Sequence, residues 1–344
     1  MTNHRSIPPC TLESLPEPPP GSSGWPWDEE TSPVCLQMPD GSSWPRISIV
    51  IPSYQQGRYI EETLRSILLQ GYPNLELHVM DGGSRDSTVG VLEKYSPWIS
   101  SWVSEKDEGQ SDAINKGFAL CSGEIFNWLC SDDFLMKGTL QKVARRFLKK
   151  PRVDVIAGAC IFQYDDEPER SGVWKVQWQD WNSAPFSGVI YQPSCFFRRS
   201  LVSRLNLVRT DLHYCMDREL WAYLWSKRAV WEWSEEVLST FRFTGANKST
   251  VGGKKVLDEL DVICRAYFEE MVPLPVMLRK CWLPLLQLSM AHPSRLVRYL
   301  SRSVSRFVTA FLKLVYPPAR VRSLQQDFYH HGLECAELSP QSGK

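Results

Sequence analysis

The chain has 344 residues, of which 43% are hydrophobic, so it is long enough to bury one large core or two ordinary ones. Its 39 basic and 39 acidic residues cancel, and this balance excludes a general electrostatic preference for nucleic acid. The charge is unevenly placed, because residues 271–326 contain Lys and Arg but no Asp or Glu.

The ten cysteines are scattered along the chain. They form no Cys-x-x-Cys pair and no His/Cys cluster at zinc-ligand spacing, so neither a disulfide framework nor a zinc site is predicted. The amino terminus has no basic segment followed by an apolar one, and no uncharged apolar run reaches about 18 residues, the length that spans a membrane. We therefore predict a cytoplasmic protein without a membrane span.

Residues 1–46, called the leader below, are crowded with Pro, Gly and Ser and show neither helical nor strand periodicity. This composition predicts a largely disordered segment. Three tryptophans, Trp25, Trp27 and Trp44, leave open the alternative that the leader docks on the folded domain or on a partner.

Three short apolar runs follow, and each stops at a turn signal, which is typical of buried strands. The first ends at Ser53 and Tyr54, the second at Asp81 and Gly82, and the third at Asp132 and Asp133. Helical spacing between the runs predicts alternating strands and helices. The predicted strands are 47–53, 75–80, 98–104, 125–130 and 153–157, and the predicted helices are 59–70, 86–95, a helix starting at 111, and 140–147.

Alternation of this kind places the carboxyl ends of the strands on one edge of a largely parallel sheet, where ligands bind. Two of the three strand ends carry carboxylates, and all three carry small or hydroxylated residues that let a ligand approach the backbone. The sequence therefore predicts a site at this edge.

The same residues resemble the opening of the family 2 glycosyltransferases. The resemblance implies a GT-A fold, an α/β architecture with a central, mostly parallel mixed sheet flanked by helices. We expect this domain to cover 47–262, followed by a basic helical extension over 263–326 and a tail over 327–344. The resembling segments are 49–54, 64–70, 81–88, 104–117, 122–124, 131–133, 192–199, 214–221 and 241–249.

Asp81 stands at the end of the second strand, where its carboxylate can accept a hydrogen bond from a ring N–H of a nucleobase, and Gly82 permits close approach. The family resemblance implies nucleobase contacts for this position and for Pro52, Ser53 and Tyr54. The alternative for Asp81 is a turn aspartate bonded to its own backbone.

Asp132 and Asp133 are adjacent carboxylates that repel one another unless a cation or hydrogen bonds intervene. Oxygen ligands suit Mg²⁺ or Mn²⁺. By resemblance, Asp133 ligates the metal and Asp132 lies near the ribose and the metal. Cys130 occupies a position where the family often has an aspartate, which leaves the share of each carboxylate open.

Asp217 is the predicted general base, since it begins a helical pattern and the resemblance assigns that role to its position. A helix cap is the alternative, and Glu219 is a second candidate base that should point away. The resemblance also places Asp107 and Asp112 beside the donor sugar and Arg242 near the diphosphate. The histidine usual after that arginine is replaced by Phe243 and Thr244.

Two aromatic or apolar patterns remain open. Trp174, Trp178 and Trp181 are either core residues or a stacking platform for a sugar. From Ser294 to Tyr316, apolar residues form one helical stripe, with arginines and a lysine away from it. Such a helix either lies on an anionic membrane surface, which would put the protein on the inner face of a membrane, or packs on the transferase domain.

The resemblance implies transfer of a sugar, with inversion, from a nucleoside-diphosphate sugar to an acceptor hydroxyl in glycan or polysaccharide assembly, and this is the predicted function. A UDP-sugar is the expected donor, a divalent cation the expected cofactor, and a glycan or lipid-linked molecule the expected acceptor; no nucleic-acid partner is expected. Two alternatives stay open: a non-catalytic saccharide- or nucleotide-binding relative, and a nucleotidyltransferase that releases pyrophosphate.

Overall fold

The structure, a computed structural model, describes residues 7–174, 190–244, 247–248, 252–267 and 274–316, and eight further positions between 318 and 329. The chain divides into two compact units. The first contains residues 1–176, 191–210 and 227–244, and the second contains residues 177–190, 211–226 and 245–344. These units do not follow the expected 47–262 and 263–326 boundaries.

The first unit contains a mixed sheet in which five strands lie at the apolar runs that the sequence predicts, and four further strands of its described part were not predicted. The first two strands are buried along their whole length because helices cover both faces of this half of the sheet. Within the described residues the sheet has nine strands. They are β1 (Ile47–Ser53), β2 (Leu75–Asp81), β3 (Ser101–Ser104), β4 (Ile125–Trp128), β5 (Phe134–Leu135), β6 (Val155–Tyr164), β7 (Gly172–Trp174), β8 (Cys195–Arg198) and β9 (Trp231–Phe243).

The strand order is β3-β2-β1-β4-β8-β6-β9-β5, with β7 beside β6. The pairs β1/β2, β2/β3 and β1/β4 are parallel, whereas β8 runs antiparallel to both β4 and β6. The chain moves from β1 to β2 and β3 on one side and then returns to place β4 on the other side. The order therefore reverses at β1, and such a reversal opens a crevice at the carboxyl ends of the strands.

The helices of the first unit lie where periodicity predicts them, with ends shifted by one or two residues. Gly109 has a φ of 109° immediately before the third helix, and Gly138 has a φ of 77° before the fourth, so both positions favour glycine. The helices are α1 (Ile60–Leu68), α2 (Thr88–Tyr95), α3 (Gln110–Leu120) and α4 (Thr139–Lys149); short 3₁₀ turns cover Leu12–Ser14, Ser96–Trp98, Pro168–Arg170, Gln192–Ser194 and Arg199–Leu201.

The leader is ordered over residues 7–46, so the prediction of a largely disordered segment is wrong for this part. Ile7, Cys10, Leu15 and Trp44 are buried in the same apolar core as β1 and α1. The indole N–H of Trp25 donates to the carbonyl oxygen of Leu135 at 2.7 Å. Composition misleads here because the segment forms no periodic element of its own and is ordered by contacts with distant parts of the chain.

Arg65, on α1, is the main polar attachment of the leader. Its guanidinium is buried and donates to the carbonyl oxygens of Pro16 at 2.8 Å, Pro26 at 3.1 Å and Trp27 at 3.0 Å. It also donates to the hydroxyl of Tyr95 at 3.2 Å. These carbonyls belong to a proline-rich stretch that does not pair with a strand, and proline has no backbone N–H to donate. The guanidinium therefore supplies the hydrogen-bond donors for these carbonyl oxygens.

The described part of the second unit is helical. No helix among the described residues combines the length and the apolar character needed to cross a membrane. The helices are α5 (Met216–Ser226), α6 (Gly253–Tyr267), α7 (Leu274–Met277), a π-helical turn (Leu278–Trp282), α8 (Leu283–Ala291) and α9 (Arg295–Val315).

Candidate active site

The carboxyl ends of β1 and β2 are held together as the sequence predicts. Ser53 is the register partner of Asp81, and the backbone N–H of Gly82 donates to the carbonyl oxygen of Ser53 at 2.8 Å. β2 and β4 flank β1 on opposite sides, about 10 Å apart at the usual ladder spacing. Residues that follow these three strands therefore border one crevice.

Asp81 makes the turn contacts that the alternative interpretation predicts. Its Oδ2 accepts from the backbone N–H groups of Gly83 and Ser84 and from the hydroxyl of Ser104, and its Oδ1 accepts from the hydroxyl of Ser84 at 2.5 Å. Three of these four hydrogen bonds go to Oδ2 and a single one goes to Oδ1, although both oxygens of a carboxylate carry two lone pairs. One acceptor position on Oδ1 thus remains for a ring N–H, and the nucleobase contact stays a prediction.

Gly82 allows Asp107 to approach the strand end. A Cβ at this position would lie 2.9 Å from Oδ2 of Asp107, so a side chain there would displace the carboxylate. Oδ1 of Asp107 accepts from the backbone N–H of Gly109 at 2.9 Å, just before α3. The amide Nε2 of Gln110, the first residue of α3, donates to Sγ of Cys130 at 3.3 Å. This hydrogen bond connects the loop before α3 to the loop that follows β4.

The loops after β1 and β2 are also joined by hydrogen bonds, through Asp86 at the start of the predicted helix 86–95. Asp86 accepts from the backbone N–H of Gly57 at 2.8 Å and from both polar groups of Thr88. Burial alone would raise the pKa of Asp86, but these hydrogen bonds outweigh it and lower the pKa. Asp86 thus holds the two loops together in its charged form.

Cys130, Asp132 and Asp133 form a compact group of metal-type ligands. One ligand atom from each lies within 4.8 Å of the others. Asp133 is 2% exposed; its Oδ1 accepts from the backbone N–H of Arg242 at 2.9 Å, while its Oδ2 is buried without a hydrogen-bond partner. Burial raises the pKa of Asp133, and the neighbouring charge of Asp132 raises it further. Such a site stabilises any cation that neutralises the pair.

Arg242 lies against this group, but its guanidinium is engaged by protein carboxylates. It donates to Asp165 at 3.1 Å, to Glu62 at 2.5 Å and to the carbonyl oxygen of Asp132 at 3.1 Å. Burial raises the pKa of Glu62 despite this partner. The cluster thus contains one guanidinium and four carboxylates, which belong to Glu62, Asp132, Asp133 and Asp165. The predicted contact of Arg242 with a diphosphate stays a prediction, and no sequence pattern pointed to Glu62 or Asp165.

A divalent cation fits these residues. The cluster carries excess negative charge, and Oδ2 of Asp133 is a buried acceptor that protein donors do not satisfy. Two carboxylates suit Mg²⁺ or Mn²⁺, which complete their shells with substrate phosphates and water. Cys130 adds a softer sulfur, which favours Mn²⁺ over Mg²⁺ if the thiolate takes part.

The remaining predicted residues of the first unit differ in their surroundings. Pro52 is buried, Tyr54 is 61% exposed, and Oγ of Ser53 is buried without a hydrogen-bond partner. Asp112 accepts from the backbone N–H of Glu108 at 3.2 Å and pairs with Lys116 at 3.1 Å. These two contacts stabilise the first turn of α3, so a sugar contact by Asp112 stays a prediction.

Trp174 is half exposed and stacks on Phe162 with ring centroids 5.2 Å apart. The two other tryptophans of this stretch, Trp178 and Trp181, lie outside the described residues. The choice between core packing and a sugar platform therefore stays open.

Asp217 lies in the second unit, in the first turn of α5. It is partly buried, and its Oδ1 accepts from the backbone N–H of Arg218 at 2.8 Å. Burial raises the pKa of Asp217, with Arg218 acting in the opposite direction. A raised pKa suits a general base better than an ordinary aspartate. Glu219 is fully buried and accepts from the hydroxyl of Tyr267, so it is a structural residue within this unit.

Glu259, on α6, fixes the start of α5 and is a residue that the sequence reasoning missed. Its carboxylate accepts from the backbone N–H groups of His213, Tyr214 and Cys215 at 2.7 to 2.8 Å. An acidic side chain at a helix start satisfies otherwise unpaired donors. The pattern could not be recognised in the sequence, because the carboxylate comes from another helix.

A second group of ligand-type residues, Glu76, His78 and Cys121, lies towards the opposite end of the strands. Glu76 accepts from the hydroxyl of Ser48 at 2.5 Å and from the backbone N–H of Ser122 at 2.8 Å. Cys121 donates to the carbonyl oxygen one helical turn earlier. We interpret this group as a structural network that joins β1 and β2 to the loop after α3.

The fold and the carboxylate edge define an α/β protein of the type in which ligands bind at a strand-order reversal. Residues 48–209, just under half of the chain, match the sequence model described as Glycosyl transferase family 2. This is the family that the sequence motifs resemble.

Among curated relatives, an uncharacterized glycosyltransferase of Rickettsia typhi is 26% identical over 185 residues, covering 52% of this chain and 58% of the relative. The matches span 39 to 65% of the length of the three bacterial glycosyltransferases compared.

Two solved structures confirm the fold class. A mannosyltransferase from Pyrobaculum calidifontis, in complex with GDP-Man and Mn²⁺, superposes with a TM-score of 0.54, at 17% identity and over 90% of this chain and 89% of that one. S. aureus TarS 1-349 in complex with UDP gives 0.52 at 17% identity, covering 85% and 92%. At this identity the likeness establishes the fold alone.

Proposed function

We propose that the protein transfers a sugar, with inversion, from a nucleoside-diphosphate sugar to an acceptor hydroxyl in glycan assembly. The observation that carries the proposal is the buried Oδ2 of Asp133, an acceptor without a protein donor at the edge where three strand ends meet. A buried carboxylate oxygen without a hydrogen-bond partner destabilises the folded protein unless a ligand binds to it. The relatives named glycosyltransferases support this choice of chemistry.

In this proposal, the ends of β1 and β2 hold the base. Asp81 accepts from a ring N–H with its remaining lone pair, and Ser53 offers its unpartnered hydroxyl beside it. Gly82 keeps the backbone accessible, and Tyr54, which is exposed, covers the base. UDP is the favoured nucleotide, since TarS is described with UDP, but the mannosyltransferase is described with GDP-Man, so both donors must be tested.

The carboxylates that follow β4 would bind the cation that offsets the charge of the diphosphate, and Glu62 of α1 helps to orient them through Arg242. A divalent cation held by Asp132 and Asp133 would neutralise the negative charge that builds on the departing nucleoside diphosphate. Arg242 holds Asp133 through its backbone N–H and the Asp132 backbone through Nε. It is therefore a positioning residue for the carboxylates, and Glu62 and Asp165 fix its own orientation.

Asp217 takes the proton of the acceptor hydroxyl as the oxygen attacks the anomeric carbon, and the bond to the diphosphate oxygen breaks on the opposite face of the sugar. The proton remains on the carboxylate and passes to solvent afterwards. Attack from the opposite face gives inversion. Glu259 holds the backbone that precedes this carboxylate and so keeps α5 in register.

The first experiment measures donor binding by calorimetry with UDP-, GDP- and dTDP-sugars, each with Mn²⁺ and with EDTA. We expect one nucleotide class to bind in a Mn²⁺-dependent way, and Asp133→Asn to abolish that dependence. Asp28→Asn, an exposed carboxylate in the leader, is the matched control and should bind as the wild type does. Binding that is equal with and without metal would refute the metal site.

The second experiment identifies the released product and tests the base. Free nucleoside diphosphate is expected, whereas pyrophosphate would identify a nucleotidyltransferase. Asp217→Asn should retain the donor affinity and lose at least about a hundredfold in turnover, the usual contribution of a general base. A protein that binds the donor but shows no turnover with any glycan or lipid-linked acceptor would instead be a binding relative.

A further inference from the structure

Helix α9 exposes its largest apolar side chains. Phe307 is 73% exposed and Leu314 is 86% exposed, and every residue of the stripe predicted from the sequence except Val308 is exposed as well. Single exposed apolar residues are ordinary on protein surfaces, but a continuous row along six turns of one helix is an interaction surface. The apolar row consists of Leu296, Leu300, Val304, Phe307, Phe311 and Val315, all at least 47% exposed.

The side of α9 that is buried is the more polar one. Ser301, Ser305 and Leu312 are 6%, 9% and 1% exposed, where the helix packs on α8 and its neighbours within the second unit. Burying phenylalanine and leucine would gain more free energy than burying serine. Within the described residues the apolar row is thus exposed, while the more polar side of the helix is buried.

Basic residues are exposed on a different side of the helix, away from the apolar row. At 3.6 residues per turn, Arg295, Arg302 and Arg306 lie on one line of the helix, and all three are exposed. Arg298 has a different role, since it donates to the carbonyl oxygens of His292 and Pro293 at the end of α8. No Asp or Glu occurs anywhere in residues 271–326, so this face has one sign of charge.

We propose that α9 docks on an anionic lipid surface, with the apolar row inserted at the boundary between headgroups and acyl chains and the arginines against lipid phosphates. An exposed apolar row on a helix whose polar side carries only basic residues is the pattern that binds such surfaces. A second copy of this chain fits less well, because a twofold contact between two α9 helices would bring arginine rows of equal sign together. This docking uses no residue of the transferase site.

The test is sedimentation of the full chain with vesicles of phosphatidylcholine and of an equimolar mixture with phosphatidylglycerol. We expect binding to the anionic vesicles that weakens with salt, and weaker binding to the neutral ones. Phe307→Ser/Phe311→Ser should reduce binding to anionic vesicles at least tenfold. Arg302→Ser/Arg306→Ser should reduce it about 25-fold, since each basic side chain near such a surface contributes about fivefold.

Two matched controls separate this surface from general effects. Leu205→Ser removes a side chain that is 96% exposed in the first unit, and Lys149→Ser removes an exposed cation there; neither should change vesicle binding. Thermal unfolding should be unchanged in all four variants, because every altered side chain is exposed. Absence of vesicle binding would overturn the proposal. So would an apolar-row variant that binds vesicles normally but converts a dimer to a monomer in analytical ultracentrifugation.

Discussion

Asp133→Asn should change the stability of the protein in opposite directions with and without ligand. In the structure, Oδ2 of Asp133 is buried without a partner and sits beside Asp132, while Oδ1 accepts from the backbone N–H of Arg242. An asparagine keeps the Oδ1 contact, removes the charge, and offers an amide that can donate to Asp132 or Cys130. The substitution therefore removes an unfavourable group from the ligand-free protein.

The magnitude follows from the burial of this oxygen. An unsatisfied buried polar group costs about 1–3 kcal/mol, so the ligand-free variant should gain about 1–2 kcal/mol. The sign agrees with the pKa, because a carboxyl whose folded-state pKa is raised costs stability above that pKa and regains it as the pH falls. For domains of this size, about 2–4 °C per kcal/mol gives a rise in Tm of about 2–8 °C in EDTA.

With Mn²⁺ and donor at about a hundred times their Kd, the wild type should gain about 2.7 kcal/mol, whereas Asp133→Asn should gain almost nothing. Scanning calorimetry under both conditions, with Asp28→Asn as control, measures both effects. If the variant gains as much from Mn²⁺ and donor as the wild type does, Asp133 is not a metal ligand. If it is less stable than the wild type in EDTA, the account of Oδ2 as an uncompensated group fails.

Three further predictions concern the base, the packing of α3 and the leader. Because burial raises the pKa of Asp217, the acid limb of kcat/KM should lie above the ordinary aspartate pKa of about 3.9, and activity should fall as pH drops through the raised value. Gly117→Ala should destabilise the protein by about 1–3 kcal/mol in urea unfolding, because the new Cβ would lie 2.4 Å from Cγ1 of Val50, whereas Gly90→Ala, which meets nothing within 4 Å, should stabilise α2 by about 0.5–1 kcal/mol. Arg65→Met should expose the leader to limited proteolysis while the rest of the chain stays folded, because three leader carbonyls lose their donor.

Each of these has a decisive contrary result. A pH profile of Asp217→Glu with the same acid limb as the wild type would remove Asp217 as the titrating base. Equal stability changes for the two glycine variants would show that α3 does not press on β1 as described. An uncleaved leader in Arg65→Met, at protease levels that cut the unfolded chain, would mean that the apolar contacts of Ile7, Leu15 and Trp44 suffice.

The amino-acid sequence by itself determined five of the nine strands that the structure describes, the helices between them and the edge where Asp81 and Asp133 lie. These features are local, since a buried strand is recognised from a few apolar residues and a turn signal. Parallel connection then requires their carboxyl ends to lie on one side. The short motifs at these strand ends could be recognised in the sequence because they too are local.

Tertiary structure alone decided which groups surround those side chains. The guanidinium of Arg242 meets Glu62 across 180 positions of the chain, and Glu259 reaches the start of α5 across about 45. The leader is ordered although its own sequence forms no periodic element, and α9 turns its serines inward and its phenylalanines outward. In each case the outcome depends on partners far away in the sequence, and a residue pattern specifies which side chains are available but not which neighbours satisfy them.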